Sequence, residues 1–140
     1  MFEKVLLAVD GSKHALHAAK VAGDLARTMN TEKLRIVVAF AHIPSYLGEP
    51  NMQAAIDARM AEADEILQSA LRVVGQIPGE IHTELIEGSP AEAIIDVAET
   101  RQSDLIVMGS RGKSTLVGLL VGSTSNKVVD HAPCPVLVVR

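Results

Sequence analysis

The sequence predicts a doubly wound, three-layer α/β fold in which helices cover both faces of one five-stranded parallel sheet. Two observations lead to this prediction. Short apolar runs alternate along the chain with longer segments whose apolar residues recur every three or four positions, which are the patterns of strands and helices. Most of the short runs are almost wholly apolar, as in parallel strands buried on both faces. The length of 140 residues suits a single domain over residues 1–140.

Five apolar runs are the predicted strands, at residues 5–9, 36–40, 81–86, 105–108 and 136–139. The third run alternates polar and apolar residues, which is typical of a strand at a sheet edge. Right-handed crossovers between parallel strands favour the strand order 3-2-1-4-5. In that order the carboxyl ends of the first and fourth strands lie side by side, and a crevice that can hold a ligand opens there.

The first two predicted helices are defined by their apolar stripes. Ser12 can cap the first helix, whose buried stripe consists mainly of alanines and ends at Met29. The small alanine side chains would let this helix pack close to the sheet. The second helix extends from about Asn51 to Val74, and its apolar face includes Met60.

The third and fourth predicted helices are defined by their ends. Ser89-Pro90-Ala91-Glu92 has the form of a capping box, with serine at the N-cap, proline at the first helical position and glutamate three residues after the cap. The fourth helix extends from about Ser123 to His131, with Val128 and Val129 expected to face inward, and it ends before Pro133.

Composition argues against two classes of function. The net charge is −4, and Phe2, Phe40 and Tyr46 are the only aromatic residues, so the basic surface and stacking platforms of a nucleic-acid-binding protein are missing. No apolar run approaches the roughly 18 residues that are needed to cross a bilayer. The start of the chain lacks the features of a signal peptide. We therefore expect a cytoplasmic protein without membrane insertion.

The sequence indicates no metal centre and no disulfide. Cys134 is the single cysteine, which excludes an intrachain disulfide and a cysteine-rich metal site, and it is expected to be a buried, inert thiol. The five histidines are scattered, and His14 and His17 share a helix face without a third ligand near them in sequence.

One stretch, Gly112-Lys113-Ser114-Thr115, looks like the end of a phosphate-binding P-loop. A P-loop requires G-x-x-x-x-G-K-[ST], and the position of its first glycine is occupied here by Val107, inside the predicted fourth strand. The lysine and serine of a P-loop also open a helix directly, whereas the nearest good cap here is Ser123. These residues are therefore not predicted to form a P-loop.

A different glycine spacing surrounds that stretch, formed by Gly109, Gly112 and Gly122-Ser123. Gly109 and Gly112 follow the fourth strand, so backbone amides there could turn inward as an anion nest. The free N–H groups of Gly122, Ser123 and Thr124 would bring the positive end of a helix dipole to the same place. The alternative is that these are turn glycines in a loop, with Ser123 acting only as a cap.

With this spacing, four parts of the chain resemble the universal stress protein family, and specifically its nucleotide-binding branch. They are Ala8-Val9-Asp10-Gly11-Ser12, Gly88-Ser89-Pro90, Asp104-Leu-Ile-Val-Met-Gly-Ser-Arg-Gly112 and His131-Ala-Pro-Cys-Pro-Val-Leu-Val-Val139. The resemblance covers essentially the whole chain. It implies the same five-stranded fold, of the adenine nucleotide alpha hydrolase-like type.

The resemblance also implies a set of nucleotide-binding residues. Gly109, Gly112, Gly122 and Ser123 match the family signature G-x2-G-x9-G-[ST] and would surround the ribose and phosphates of ATP. No catalytic residue and no protein ligand for a metal is predicted, because the sequence offers no acidic pair placed to hold Mg²⁺ and no Ser/His/Asp arrangement that the spacing supports.

Five further residues complete the expected site. Asp10 matches the aspartate that contacts the nucleoside, with an Asp-Gly turn as its alternative role, and Met108 precedes the first signature glycine. Arg111 and Thr124 are expected phosphate neighbours. Phe40 stands where the family usually has a small aliphatic residue against the adenine, and it could stack on the base, crowd it or belong to the core.

The first functional hypothesis is an ATP-binding regulatory or stress-response module, with or without Mg²⁺ bound through the phosphates. A slow Mg²⁺-dependent ATPase or phosphotransferase using the same pocket is the second, and a nucleotide-independent scaffold is the third. The apolar strand Val136–Val139 is expected at a sheet edge, where pairing with a second copy would cover its backbone groups. We therefore expect a homodimer through this strand, or a higher even oligomer.

Overall fold

The computed structural model describes residues 1–43, 46, 48–111 and 122–140, in which strands and helices alternate along the chain. The strands are β1 (Lys4–Val9), β2 (Lys33–Phe40), β3 (Glu80–Glu87), β4 (Leu105–Gly109) and β5 (Val136–Val139). The helices are α1 (Lys13–Met29), α2 (Asn51–Val74), α3 (Pro90–Thr100) and α4 (Ser123–His131). In these ranges there is no helix of the length and hydrophobicity that a membrane span requires.

The five strands form one parallel sheet in the order β3-β2-β1-β4-β5, which confirms the predicted topology. β1 lies between β2 and β4, and Ala8 is in register with Val37 on one side and Met108 on the other. The carboxyl ends of β1 and β4 are therefore adjacent, while the crossovers that leave them run to opposite sides of the sheet. β3 and β5 are the edge strands.

Two hydrophobic clusters, one on each face of the sheet, form the core. Leu7 and Ile36 are fully buried on the face that α1 and α2 cover. Leu6 and Ile106 are fully buried on the face that α3 and α4 cover. Because successive strand residues point to opposite faces, Leu6 and Leu7 supply one residue to each cluster. Each such side chain contributes about 1.5–3 kcal/mol through its burial.

Helix α1 packs closely because its buried stripe is made of small residues. Ala15, Ala18, Ala19, Ala22 and Ala26 are all buried, as predicted. Ser12 caps the helix, since its Oγ accepts a hydrogen bond from the Ala15 N–H at 3.1 Å. This close packing fixes the start of α1 against the carboxyl end of the sheet.

Three local expectations are corrected. Ser89 occupies the N-cap of α3 and Pro90 its first position, but the Ser89 side chain makes no capping hydrogen bond. Val128 is fully buried whereas Val129 is 52% exposed, because Val128 is the one that packs into the hydrophobic cluster on the α3 and α4 face. Met60 is exposed, since the buried face of α2 begins only at Ala63. Periodicity identifies the apolar face of a helix but not how much of it is covered.

Gly23 of α1 is predicted to be necessary for the contact between α1 and the end of α2. A Cβ at this position would lie 2.6 Å from the Val74 carbonyl oxygen. We expect Gly23→Ala to lower the free energy of unfolding by about 1–3 kcal/mol through this overpacking, even though alanine favours a helix by about 1 kcal/mol. Urea unfolding measures the change. Thr28→Ala, on the exposed face of α1, is the control and should not lose stability.

Candidate functional site

A cleft opens where the carboxyl ends of β1 and β4 meet the start of α4. It is the place at which the fold class binds ligands. Its lining combines an apolar floor with a polar rim. The lining residues are Ala8, Val9, Asp10, Ala15, Val37, Ala39, Pro90, Ile94, Met108, Gly109, Arg111, Gly122, Ser123, Thr124 and Ser125.

The floor of the cleft is formed by strand residues of the core. Ala8, Val37 and Met108 lie side by side on β1, β2 and β4 and are almost fully buried. Ile94 of α3 closes the same side. Such a floor accepts a flat apolar group and offers it few hydrogen bonds.

The rim of the cleft contains the start of α4, whose N-cap lies one residue before Ser123, the expected cap. Gly122 is the N-cap, and the Asn126 N–H donates to its carbonyl oxygen at 2.9 Å. No side chain caps the helix. Ser123 and Thr124 therefore bring the first N–H groups of the helix, and with them the positive end of its dipole, to the cleft.

The Gly122 N–H is not available to a ligand, which corrects the expectation from sequence. It donates to the Ser110 carbonyl oxygen at 2.6 Å. The Ser125 Oγ donates to the same oxygen at 2.9 Å, and Ser110 and Ser125 are each 2% exposed. These two bonds attach α4 to the residue that follows β4. A Cβ at Gly122 would lie 3.2 Å from the Ser110 oxygen, so the glycine permits this contact.

Gly109 is required by packing rather than by an unusual backbone conformation. A Cβ there would lie 2.8 Å from the carbonyl carbon and Cβ of His14 and 2.9 Å from the Ala15 nitrogen. Neither Gly109 nor Gly122 has a positive φ angle. The first turn of α1 thus crosses directly over the end of β4. Gly112, the remaining signature glycine, lies outside the described residues.

Asp10 stabilises the turn between β1 and α1 and also lines the cleft. Its Oδ1 accepts a hydrogen bond from the Ser12 N–H at 2.9 Å, across Gly11, whose φ is +86°. The Ser12 Oγ in turn donates to the Arg111 carbonyl oxygen at 3.3 Å. The Asp-Gly turn that the sequence offered as an alternative role for Asp10 is therefore present, and it places the carboxylate at the cleft.

Phe40 points away from the floor of the cleft. It packs against the core on the α1 and α2 face and lines a second groove of about 360 Å³ beside α2. Asp10, Ala39, Pro90 and Thr124 line both the cleft and this groove, so the two spaces adjoin. Ala39, one residue before Phe40, occupies the cleft wall.

Two side chains at the site, His14 and Ser110, were missed by the sequence analysis. His14 Nδ1 lies 2.7 Å from Ser110 Oγ, which joins α1 to the end of β4. Ser110 lies between Gly109 and Gly112 of the glycine signature, and this position is the only feature of the sequence that could have indicated a role for it. The helix-face pairing of His14 with His17 does not bring them to a common partner, because His17 Nδ1 lies 3.0 Å from the Arg140 carbonyl oxygen.

The described residues, those of the cleft included, provide no group of three histidine, cysteine, aspartate or glutamate side chains that could hold a metal ion. Cys134 is only partly buried and packs against the α3 and α4 cluster. Burial raises the pKa of the Cys134 thiol, and the Asp104 carboxylate adds to this effect. The thiol form is therefore favoured at neutral pH. The expected full burial of Cys134 is wrong, and its inert role stays a prediction.

The universal stress protein family profile matches residues 1–140. A universal stress protein of Thermus aquaticus is 44% identical over 140 residues that cover all of both chains. The structure of the universal stress protein UspA from Lactobacillus plantarum has a TM-score of 0.86 at 30% identity and covers 99% of this chain and 98% of that chain. A universal stress protein solved in complex with cAMP has a TM-score of 0.65 at 29% identity, covering 99% and 97%.

Ser125 is predicted to stabilise the junction between β4 and α4. Ser125→Ala removes one of the two donors to the Ser110 carbonyl oxygen and should lower the free energy of unfolding by about 1 kcal/mol. Urea unfolding of the purified variant measures this. Ser123→Ala, two residues away on the exposed side of α4, is the matched control and should change stability by less than about 0.5 kcal/mol. Equal effects of the two substitutions would contradict the assignment.

Proposed function

The chain belongs to the universal stress protein family, and we propose that it binds an adenine nucleotide, ATP in the first instance, in the cleft and acts as a nucleotide-dependent regulatory module. One observation carries the proposal. A single cleft joins an apolar floor at the ends of β1 and β4 to the amino end of α4. A nucleotide has the same two parts, a flat base and an anionic chain.

The phosphates would lie at the start of α4. Ser123 and Thr124 can donate their main-chain N–H groups, and the helix dipole favours negative charge at this end. The hydroxyl of Thr124 and the side chain of Arg111 lie on the same rim. Mg²⁺ would then be held through the phosphates, because Asp10 is the only carboxylate among the described cleft residues.

The nucleoside would extend from the cleft toward the groove beside α2. The cleft alone encloses about 90 Å³, whereas sites for drug-sized ligands occupy roughly 300–1,000 Å³. The adjoining groove adds about 360 Å³. Asp10 lines both spaces and can accept hydrogen bonds from ribose hydroxyls, and Phe40 borders the outer part of the groove. The related protein in complex with cAMP supports an adenine ligand.

The same proposal includes a homodimer that forms through β5. This strand is at the sheet edge, and Leu137 on it is 37% exposed. Val129 of α4 is a second exposed apolar residue, on the helix that contacts β5. Pairing of β5 with its copy across a two-fold axis would cover the open backbone groups of this edge.

Removal of one main-chain N–H is predicted to weaken nucleotide binding. Ser123→Pro deletes the N–H at the first helical position, where proline is tolerated, and Gly122 already has the extended ψ of 169° that a following proline requires. Calorimetric titration should show ATP binding to the unchanged protein and affinity on the order of tenfold lower in Ser123→Pro. Adenosine, which lacks phosphate, should bind both alike.

Ser123→Ala is the control for that titration, because it removes the hydroxyl and keeps the N–H. It should retain most of the ATP affinity. An equal loss in the two variants would contradict a role for the amide. If the unchanged protein binds neither ATP nor cAMP at millimolar concentration, the proposed function is wrong. Incubation of the complex with Mg²⁺ over hours separates a binding module from a slow ATPase.

The homodimer is predicted to depend on the exposed face of β5. Leu137→Lys places a charge at the paired edge and should convert the dimer to a monomer, because burying an unpaired charge is unfavourable. Sedimentation velocity at micromolar concentration measures the change in mass. Met60→Lys is the control, since Met60 is 40% exposed on α2, and it should remain a dimer. A monomeric unchanged protein would contradict the proposal.

A further inference from the structure

A second cavity lies at the opposite end of the sheet from the cleft, where β1 and β2 begin. It encloses about 250 Å³. Four cationic side chains line it together with two hydroxyl residues. These residues are Lys4, Lys33, Arg35, Arg101, Thr100 and Ser103. The chain as a whole carries a net charge of −4, so four cationic side chains around one cavity are a local excess of positive charge.

Two of the cations are direct neighbours across the sheet. Lys4 and Lys33 are the first residues of β1 and β2, and their Cα atoms are in register. Like charges in this arrangement repel each other and destabilise a sheet. Within the ranges that the structure describes, the side-chain ammonium groups of these two lysines form no ion pair with a carboxylate. Glu80, opposite Lys33 on β3, turns instead to His82, with Oε2 3.0 Å from Nε2.

The other two cations share a single carboxylate. Glu84 of β3 lies between them, with Oε1 accepting from Arg101 Nη2 at 2.9 Å and Oε2 3.4 Å from Arg35 Nη1. That second oxygen is buried and accepts no hydrogen bond. The Arg35 side chain is 18% exposed. A guanidinium has five N–H donors, so Arg35 retains donors for another acceptor.

We propose that this cavity binds a phosphate-bearing small molecule. Asp104 lies at its edge, where its carboxylate accepts hydrogen bonds from the Glu3 and Lys4 N–H groups. Four cations against the carboxylates of Glu80, Glu84 and Asp104 leave a charge of +1, which favours an anion. Arginine presents donors in the planar arrangement that phosphate oxygens accept, and lysine adds a point charge. The hydroxyls of Thr100 and Ser103 complete the donor set.

The site is tested by titrating isotope-labelled full-length protein with inorganic phosphate, pyrophosphate and succinate while the backbone amide signals are followed by NMR. Phosphate and pyrophosphate should shift the amides of Lys4, Lys33 and Ser103 saturably. Succinate carries a similar charge in carboxylates and should bind less tightly. The double variant Lys4→Gln/Lys33→Gln should bind on the order of tenfold more weakly. Lys20→Gln/Lys127→Gln, which removes the same charge from exposed positions, should bind like the unchanged protein.

Two further measurements separate a binding site from a structural role. In anion-free buffer the Lys4→Gln/Lys33→Gln variant should be no less stable than the unchanged protein, because the repulsion between the lysines is gone. Glu84→Gln should bind phosphate several-fold more tightly, because two arginines lose their internal counter-charge. Saturable shifts confined to the start of α4, equal binding by both double variants, or succinate binding as tightly as phosphate would each overturn the proposal. Anion binding in the cleft would shift the amides at the start of α4, so it is distinguished from binding at this cavity, which shifts the amides of Lys4, Lys33 and Ser103.

Discussion

The geometry of the cleft depends on hydrogen bonds to the carbonyl oxygen of Ser110. This oxygen accepts hydrogen bonds from the Gly122 N–H and the Ser125 hydroxyl, so the helix α4 starts beside the end of β4. The Ser110 side chain contacts His14 of α1, and its N–H donates to the Val139 carbonyl oxygen of β5. One buried residue thus connects four elements, and the position of the helix end relative to the apolar floor follows from it.

The cleft owes its shape to residues that lack bulk. The absence of a side chain at Gly109 lets the first turn of α1 cross the end of β4, and Gly122 allows α4 to approach Ser110. Ala8 and Ala39 leave space on the floor and wall. The groups available to a phosphate are then mainly main-chain N–H groups, which no substitution except proline removes. Recognition of this kind depends on backbone placement and therefore on the packing of the whole core.

Sequence reasoning could predict the bounds of β5 and α2 and the Ser12 cap, because these follow from local periodicity and capping chemistry. It could predict the sheet order because the handedness of crossovers between parallel strands restricts the topology. It could not predict which of Val128 and Val129 is buried, since that depends on where α4 lies against its neighbours. It gave the glycines a backbone role, whereas Gly109 is explained by contact with a residue 95 positions earlier in the chain. The hydrogen bonds of Ser110 could not be predicted for the same reason, because their partners are distant in sequence.

The bond between the Ser110 N–H and the Val139 carbonyl oxygen has a thermodynamic consequence. It joins the residue that positions α4 to the end of the edge strand through which the proposed homodimer forms. A ligand at α4 that changes the position of Ser110 would act on the backbone of β5 through this bond. Linkage then requires reciprocity: the factor by which a nucleotide alters self-association is the factor by which self-association alters nucleotide affinity. The apparent nucleotide affinity would then depend on the protein concentration, because concentration sets the fraction of the protein that is dimeric.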